Sequence, residues 1–136
     1  MFLGVLSRGG RGTVLWNLML DDKRGPYSRH DGSCKTCYGG VTINSADYKT
    51  IVKNSHWFDC AHASVALKPG ARRMKIKTFD LPSGLEIQMY LNTDNTVGVL
   101  ICNNSSKEQD FVFASTKQTV KYKVPARSIA SLLWQE

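Results

Sequence analysis

Two kinds of apolar spacing divide the chain near residue 68. Before it, Thr13-Val14-Leu15-Trp16-Asn17-Leu18-Met19-Leu20 is a nearly continuous apolar run. Its length and its β-branched and aromatic start predict a strand buried on both faces, as in a parallel sheet. The run stops at Asp21-Asp22-Lys23-Arg24-Gly25-Pro26, and no period is visible from there to Gly40. Pro26, Asp31, Gly32, Ser33, Gly39 and Gly40 mark a long loop. Loops of that length in compact domains are usually functional or tied down. Val41-Thr42-Ile43 is a short extended piece. Trp57, Ala61 and Val65 then recur every four residues, with Phe58 beside them. This predicts a helix from Asn54 or Ser55 to Leu67, capped by one of the first two and stopped by Lys68-Pro69-Gly70.

After Gly70 the period falls to two. Arg72 to Phe79, Leu85 to Leu91, Val97 to Cys102, Asp110 to Ala114, Thr119 to Val124 and Ser128 to Trp134 are predicted strands. Pro82-Ser83-Gly84, Asn92 to Asn95, Asn103 to Ser106 and Pro125 separate them. Short strands with regular turns and no helix between them predict an antiparallel sandwich or barrel. The fold class is therefore mainly β: an antiparallel β-sandwich over residues 68–136, preceded by a strand–loop–helix unit over residues 1–67. A strand buried on both faces needs parallel neighbours, and no other segment of the sequence supplies one. The first unit reads as the end of something larger.

Composition adds little to that picture. In 136 residues, 42% hydrophobic and 21% charged positions are ordinary for a folded domain. No apolar run approaches the roughly 20 residues of a membrane-spanning helix. Met1 to Leu6 lacks a charged n-region and a cleavage site, so it is not read as a signal peptide. The net charge of +7 is mostly scattered. Its densest stretch, Lys68 to Lys77, places Arg73, Lys75 and Lys77 on one face of a strand, which is read as a solvated face rather than a nucleic-acid site.

Three segments resemble glycoside hydrolase family 30, the glucosylceramidase and β-1,6-glucanase group. Leu15-Trp16-Asn17-Leu18-Met19-Leu20-Asp21 followed by Gly25-Pro26 is similar to the family's last barrel strand, W-N-L-A-L-D and then G-P. Gly32-Ser33-Cys34-Lys35-Thr36-Cys37-Tyr38-Gly39-Gly40-Val41-Thr42-Ile43 resembles G-C-x-x-C-x-G-x-V-T-I. Trp57-Phe58-Asp59-Cys60-Ala61-His62-Ala63-Ser64, then Leu67-Lys68-Pro69-Gly70-Ala71-Arg72-Arg73, is similar to the final barrel helix, Y-Y-x-x-x-H-x-S-x-F and V-x-P-G-A-x-R-I. The resemblance is close over residues 13–77; beyond, the strands fit the family's C-terminal sandwich by pattern.

The resemblance implies a (β/α)8 barrel fused to a β-sandwich, with residues 1–67 supplying the last β/α unit. It implies a retaining β-glycosidase acting on β-glucosides, glucosylceramide or β-glucan, without a cofactor and outside the cytoplasm. Retention needs two carboxyl groups about 5 Å apart across the scissile bond. The family's two glutamates lie on the fourth and seventh barrel strands, and this sequence begins just before the eighth. Only Glu86, Glu108 and Glu136 are present, none placed for catalysis. No catalytic residue is expected here, and Asp21 and Asp22 are adjacent, so they cannot flank a sugar from both faces.

Trp16 is the leading site residue, since the family's matching tryptophan lines a sugar subsite and an aromatic face packs on a pyranose ring. Asn17 would orient neighbouring groups. Tyr27, His30 and Tyr38 would be contacts on the cleft rim. Cys34 and Cys37 admit a disulfide, free thiols, or half a zinc site completed by Cys60 and His56 or His62; the resemblance favours the disulfide, with no metal. His62 is read as a hydrogen-bonded structural residue and Cys102 as a small buried hydrophobe. The expected partners are a β-linked glycan and the rest of the barrel, with no nucleic acid and no membrane span. Two other readings are a stand-alone carbohydrate-binding sandwich using Tyr90, Tyr122 or Trp134, and a basic module using Lys68 to Lys77, whose binding would fall steeply with salt.

Overall fold

The computed structural model describes residues 2–26, 34–115 and 117–135. In chain order the elements are α1 (Phe2–Ser7), β1 (Met19–Asp21), β2 (Val41–Ile43), β3 (Ile51–Lys53), α2 (Ser55–Ala66), β4 (Arg72–Arg73), β5 (Leu85–Leu91), β6 (Thr96–Asn103), β7 (Gln109–Ala114), β8 (Thr119–Val124) and β9 (Ser128–Gln135). The chain divides into two compact units, Gly12–Ala61 and Met1–Arg11 with His62–Glu136.

In the larger unit, β4-β5-β6-β9 form one antiparallel sheet and β7-β8 another. Strand β6 lies inside its sheet, and both its faces are used because its side chains alternate. Val97, Val99 and Ile101 join Leu85, Met89, Phe111, Val124 and Ala130 in the core between the two sheets. Leu100 turns the other way, to Leu3 of α1 and Ala66 of α2. The five strands from β5 to β9 match the periodic segments of the sequence to within a residue or two. The segment after β4 does not continue as a ladder. Its alternation survives all the same: Met74 and Ile76 pack on the core while Arg73, Lys75 and Lys77 are exposed.

Two asparagines fix the connections. Asn92, 3% exposed, ends α2: its Oδ1 accepts from Lys68 N at 2.9 Å, and its Nδ2 donates to Ala66 O at 3.3 Å and Thr96 Oγ1 at 3.1 Å. Those bonds supply orphan groups at the helix C-terminus. Asn103 is fully buried and donates to the carbonyls of Lys107, Val124 and Pro125 at 2.8, 3.1 and 2.9 Å. Its Oδ1 accepts from Ser105 N at 3.0 Å and Ser105 Oγ at 2.7 Å. Of the two overlapping N-x-S sequons in Asn103-Asn104-Ser105-Ser106, the first is thus committed to the fold.

In the same turn as Asn92, Asp94 pairs with Lys68 and accepts from Thr96 Oγ1 at 2.7 Å. The Lys68 contact first, and then Thr96, lower its pKa from 3.8 to about 2. A carboxyl depressed in the folded state stabilises it above its unfolded pKa, and that contribution is lost as pH falls toward the folded one. Urea titrations between pH 4 and pH 2 should therefore show a shallower loss of stability for Asp94→Asn than for the native chain. Equal slopes would mean that the pair contributes nothing.

The smaller unit departs from expectation. The run from Thr13 to Leu20 is not a strand buried on both faces: only its end, from Met19, lies in β1, and Val14, Trp16 and Leu18 are 96%, 77% and 76% exposed. Just before β1 the Asn17 and Leu18 carbonyls accept from Gly40 N and Val41 N, yet the side chains of Val14, Trp16 and Leu18 stay outward. A parallel neighbour nevertheless exists. β1 pairs with β2, Met19 opposite Val41, and β2 pairs antiparallel with β3, which sequence periodicity did not reveal. Helix α2 begins and ends where the spacing predicts, but Phe58 and Val65 on its apolar face are exposed.

Candidate functional site

The site residues described here all lie in the unit Gly12–Ala61. Residues 13–18 alternate between half-buried and exposed, which puts Trp16 outward beside Val14 and Leu18. Asn17 points the other way, and among the described residues its enclosed Oδ1 accepts no hydrogen bond; the same holds for Thr13 Oγ1. Trp16 and Asn17 are joined by a cis peptide bond.

The loop returning to β2 is tied to this segment through its backbone. Gly40 N donates to Asn17 O at 2.8 Å and Val41 N to Leu18 O at 3.1 Å. Gly39 has no room for a side chain, since a Cβ there would lie 2.8 Å from both Leu20 N and Val41 O. Asn54, expected only as a helix cap, does more. Its Nδ2 donates to Gly39 O and Thr42 Oγ1, each at 2.9 Å, while its carbonyl accepts from Trp57 N at 3.0 Å. Tyr38, directly before Gly39, is 55% exposed. The Arg24 guanidinium lies over its ring, 5.0 Å from the centroid, and one guanidinium N–H donates to the phenol oxygen at 3.1 Å. Arg24 carried no periodic or motif signal in the sequence; tertiary contact alone brings it to Tyr38.

The structure thus ties the backbone beside Trp16 and Asn17 to the segment that carries Tyr38 and, through Tyr38, Arg24. Tyr27 and His30 lie outside the described residues. Cys34 and Cys37 are joined in a disulfide with their Cα atoms 5.5 Å apart. That pairing removes both sulfurs from the zinc arrangement considered above, and no cluster of three or more potential metal ligands occurs among the described residues. His62 shares a hydrogen bond of 3.0 Å with Ser131 Oγ.

The acids serve turns and surface pairs. Asp21 accepts from Gly25 N at 2.6 Å. Asp22 accepts from Ser45 N at 2.6 Å, and its bonding to Ser45 lowers its pKa. Glu86 accepts from Asn104 Nδ2 at 3.3 Å, and Glu108 pairs with Lys123 at 3.4 Å. Glu136 lies outside the described residues. On the sandwich, Tyr90 is buried and Tyr122 and Trp134 pack against the core, so none of the three is the exposed platform that a stand-alone sugar-binding module would need. Among the described residues no helix is long and apolar enough to cross a membrane.

An exposed indole, a phenol and a guanidinium with spare N–H groups can pack on sugar rings and donate to hydroxyls. None of the three is a carboxyl group. Residues 70–132 match the family model of the glycosyl hydrolase family 30 beta sandwich domain. Two of the similar proteins are glucanases by name. The chain is 28% identical over 135 residues to endo-1,6-beta-D-glucanase neg1 of Aspergillus fumigatus, covering 97% of this chain and 27% of that protein. The solved structure of the endo-beta1,6-glucanase BT3312 matches with a TM-score of 0.90 at 38% identity, over 98% of this chain and 29% of that one. SrfJ from Salmonella typhimurium matches with a TM-score of 0.85 at 23% identity, over 99% of this chain and 29% of that one, and shows the fold alone. The chain therefore spans less than a third of the length of these relatives.

Proposed function

We propose that this chain is the C-terminal portion of a retaining, extracytoplasmic β-glucan hydrolase that acts on β-1,6-linked glucan. It supplies the last β/α unit of a barrel, part of the sugar subsite and the accessory β-sandwich. The observation that carries this reading is the similarity to endo-1,6-β-glucanases along nearly the whole chain, at 38% identity in one solved structure. Trp16 is the platform for a glucose ring, Asn17, turned inward, orients the segment behind it through its carbonyl bond to Gly40 N, and Tyr38 contacts the neighbouring sugar. The acid/base and nucleophile come from the remainder of the barrel, because two carboxyl groups facing each other across one bond are needed. The disulfide favours an oxidising compartment.

The test is a chimera in which this chain replaces the aligned part of the Aspergillus enzyme. The expected result is hydrolysis of β-1,6-glucan with retention of anomeric configuration, read by proton NMR, and no hydrolysis by this chain alone. A chimera that melts cooperatively but leaves the glucan intact would overturn the reading, as would cleavage by the chain by itself.

A further inference from the structure

Tyr38 is held from both sides, and the two holds differ in kind. On its C-terminal side, Gly39 and Gly40 are fixed by backbone bonds to Asn17 and by the Asn54 amide. On its N-terminal side the neighbour is Cys37, locked to Cys34. Cys34 and the two residues between the cysteines are exposed, and Cys37 is half-buried. In the described structure this short stretch has little else to hold it: Cys34 Sγ lies 3.8 Å from Thr36 Oγ1, within the same loop. The disulfide closes residues 34–37 into a small ring directly before Tyr38. Arg24 adds an independent fact. Its guanidinium is laid on the Tyr38 ring and bonded to the phenol, so the position of Tyr38 sets the position of a cation as well.

We propose that the Cys34–Cys37 disulfide is a positioning element of the sugar-binding surface: it fixes Tyr38, and Tyr38 in turn holds the Arg24 guanidinium over its ring, where further N–H groups can donate to sugar hydroxyls. The substrate class of this contact is a neutral, hydroxyl-rich glycan, and the inference rests on the function proposed above. Reduction by a dithiol undoes it. Two electrons and two protons pass to the cysteines, the S–S bond becomes two thiols, and the dithiol closes to its own disulfide. With the loop free, Tyr38 keeps only its C-terminal hold, and the two-point contact with Arg24 competes with loop entropy. An exposed cation–π contact is too weak to hold a four-residue loop in place unaided.

The experiment uses the full chain, oxidised and after treatment with dithiothreitol, alongside a Cys34→Ser/Cys37→Ser variant. NMR reads the Arg24 Nε–H and the Tyr38 ring protons, and a β-1,6-linked glucotetraose is the titrant. In the oxidised chain the Arg24 side-chain signals should show the upfield displacement expected above an aromatic ring. That displacement should collapse on reduction and in the double variant, while signals from β5, β6 and β9 stay in place. Affinity for the tetrasaccharide should fall about 3- to 10-fold, and Tyr38→Ala in the oxidised chain should reproduce the fall without altering the disulfide. Arg24 signals unchanged on reduction overturn the proposal. So does a lost displacement with unchanged affinity, which leaves the disulfide a loop staple with no role at the sugar. If no tetrasaccharide binds in either state, the contact of Arg24 with sugar fails, while the chimera described above decides the proposed function separately. The NMR displacement still decides whether the disulfide positions Tyr38.

Discussion

Replacing Gly98 with alanine should unfold the sandwich. Gly98 sits in β6, between Tyr90 of β5 and Leu133 of β9, where the strand passes under the end of α2. A Cβ at this position would lie 1.8 Å from the carbonyl oxygen of Ala66 and 2.6 Å from its carbonyl carbon. These are backbone atoms of a helix end that is pinned by Asn92, so they cannot swing away as a side chain could. The sheet cannot retreat either, because Val97, Val99 and Ile101 on its other face are packed in the core. Overpacking of ordinary cores costs about 1–3 kcal/mol. Here one methyl must part a helix from a central strand, and a loss above about 4 kcal/mol is expected, a large share of the 5–15 kcal/mol that holds a domain. Thermal denaturation should show a melting point lowered by about 15 °C or more. Gly12→Ala, where nothing lies within 4 Å of the added carbon, is the matched control and should melt as the native chain does. A Gly98→Ala chain that also melts like the native one would show that α2 does not rest on β6.

Replacing Trp16 with alanine should leave folding alone and remove sugar binding. Because the side chain is 77% exposed, the truncation opens no cavity, and stability should change by less than about 0.5 kcal/mol. If Trp16 is the sugar platform, the loss falls on the ligand side. Central aromatic anchors typically cost more than about 2 kcal/mol when truncated, which is roughly 30-fold in kcat/KM at 1.36 kcal/mol per decade. The measurement pairs a urea denaturation curve with hydrolysis of β-1,6-glucan by the chimera described above, with and without the substitution. Trp16→Phe, which keeps an aromatic face, should recover most of the activity. A variant that loses stability while keeping activity would place Trp16 in packing.

How much of this was readable beforehand depended on where each segment finds its partners. The strands from Leu85 to Gln135 were legible because each alternates on its own, with β5–β6 and β7–β8 pairing across short turns and β9 returning to β6 past the second hairpin, so local period and tertiary environment agree. Helix α2 was legible for the same reason, from its four-residue spacing and the Lys68-Pro69-Gly70 stop. Thr13 to Leu20 was misread because its apolar content describes an environment that the described residues do not supply. Strand β3 was missed because three residues carry no period. Trp16, Asn17, Tyr38 and the two loop cysteines stood out through motif resemblance. Arg24 and Asn54 did not, since a stacking cation and a loop-tying amide acquire their roles only from partners 14 and 15 positions away.

By itself, then, the sequence determined the β-sandwich, the helix and its limits, and the family resemblance. Those follow from periodicity and residue type, which are properties of short stretches. The tertiary structure alone decided that Trp16 faces outward, that Arg24 rests on Tyr38, that Tyr90, Tyr122 and Trp134 are spent on the core, and that Gly98 must lack a side chain. Each of these depends on which distant atoms occupy the space around a residue, and no local pattern encodes that.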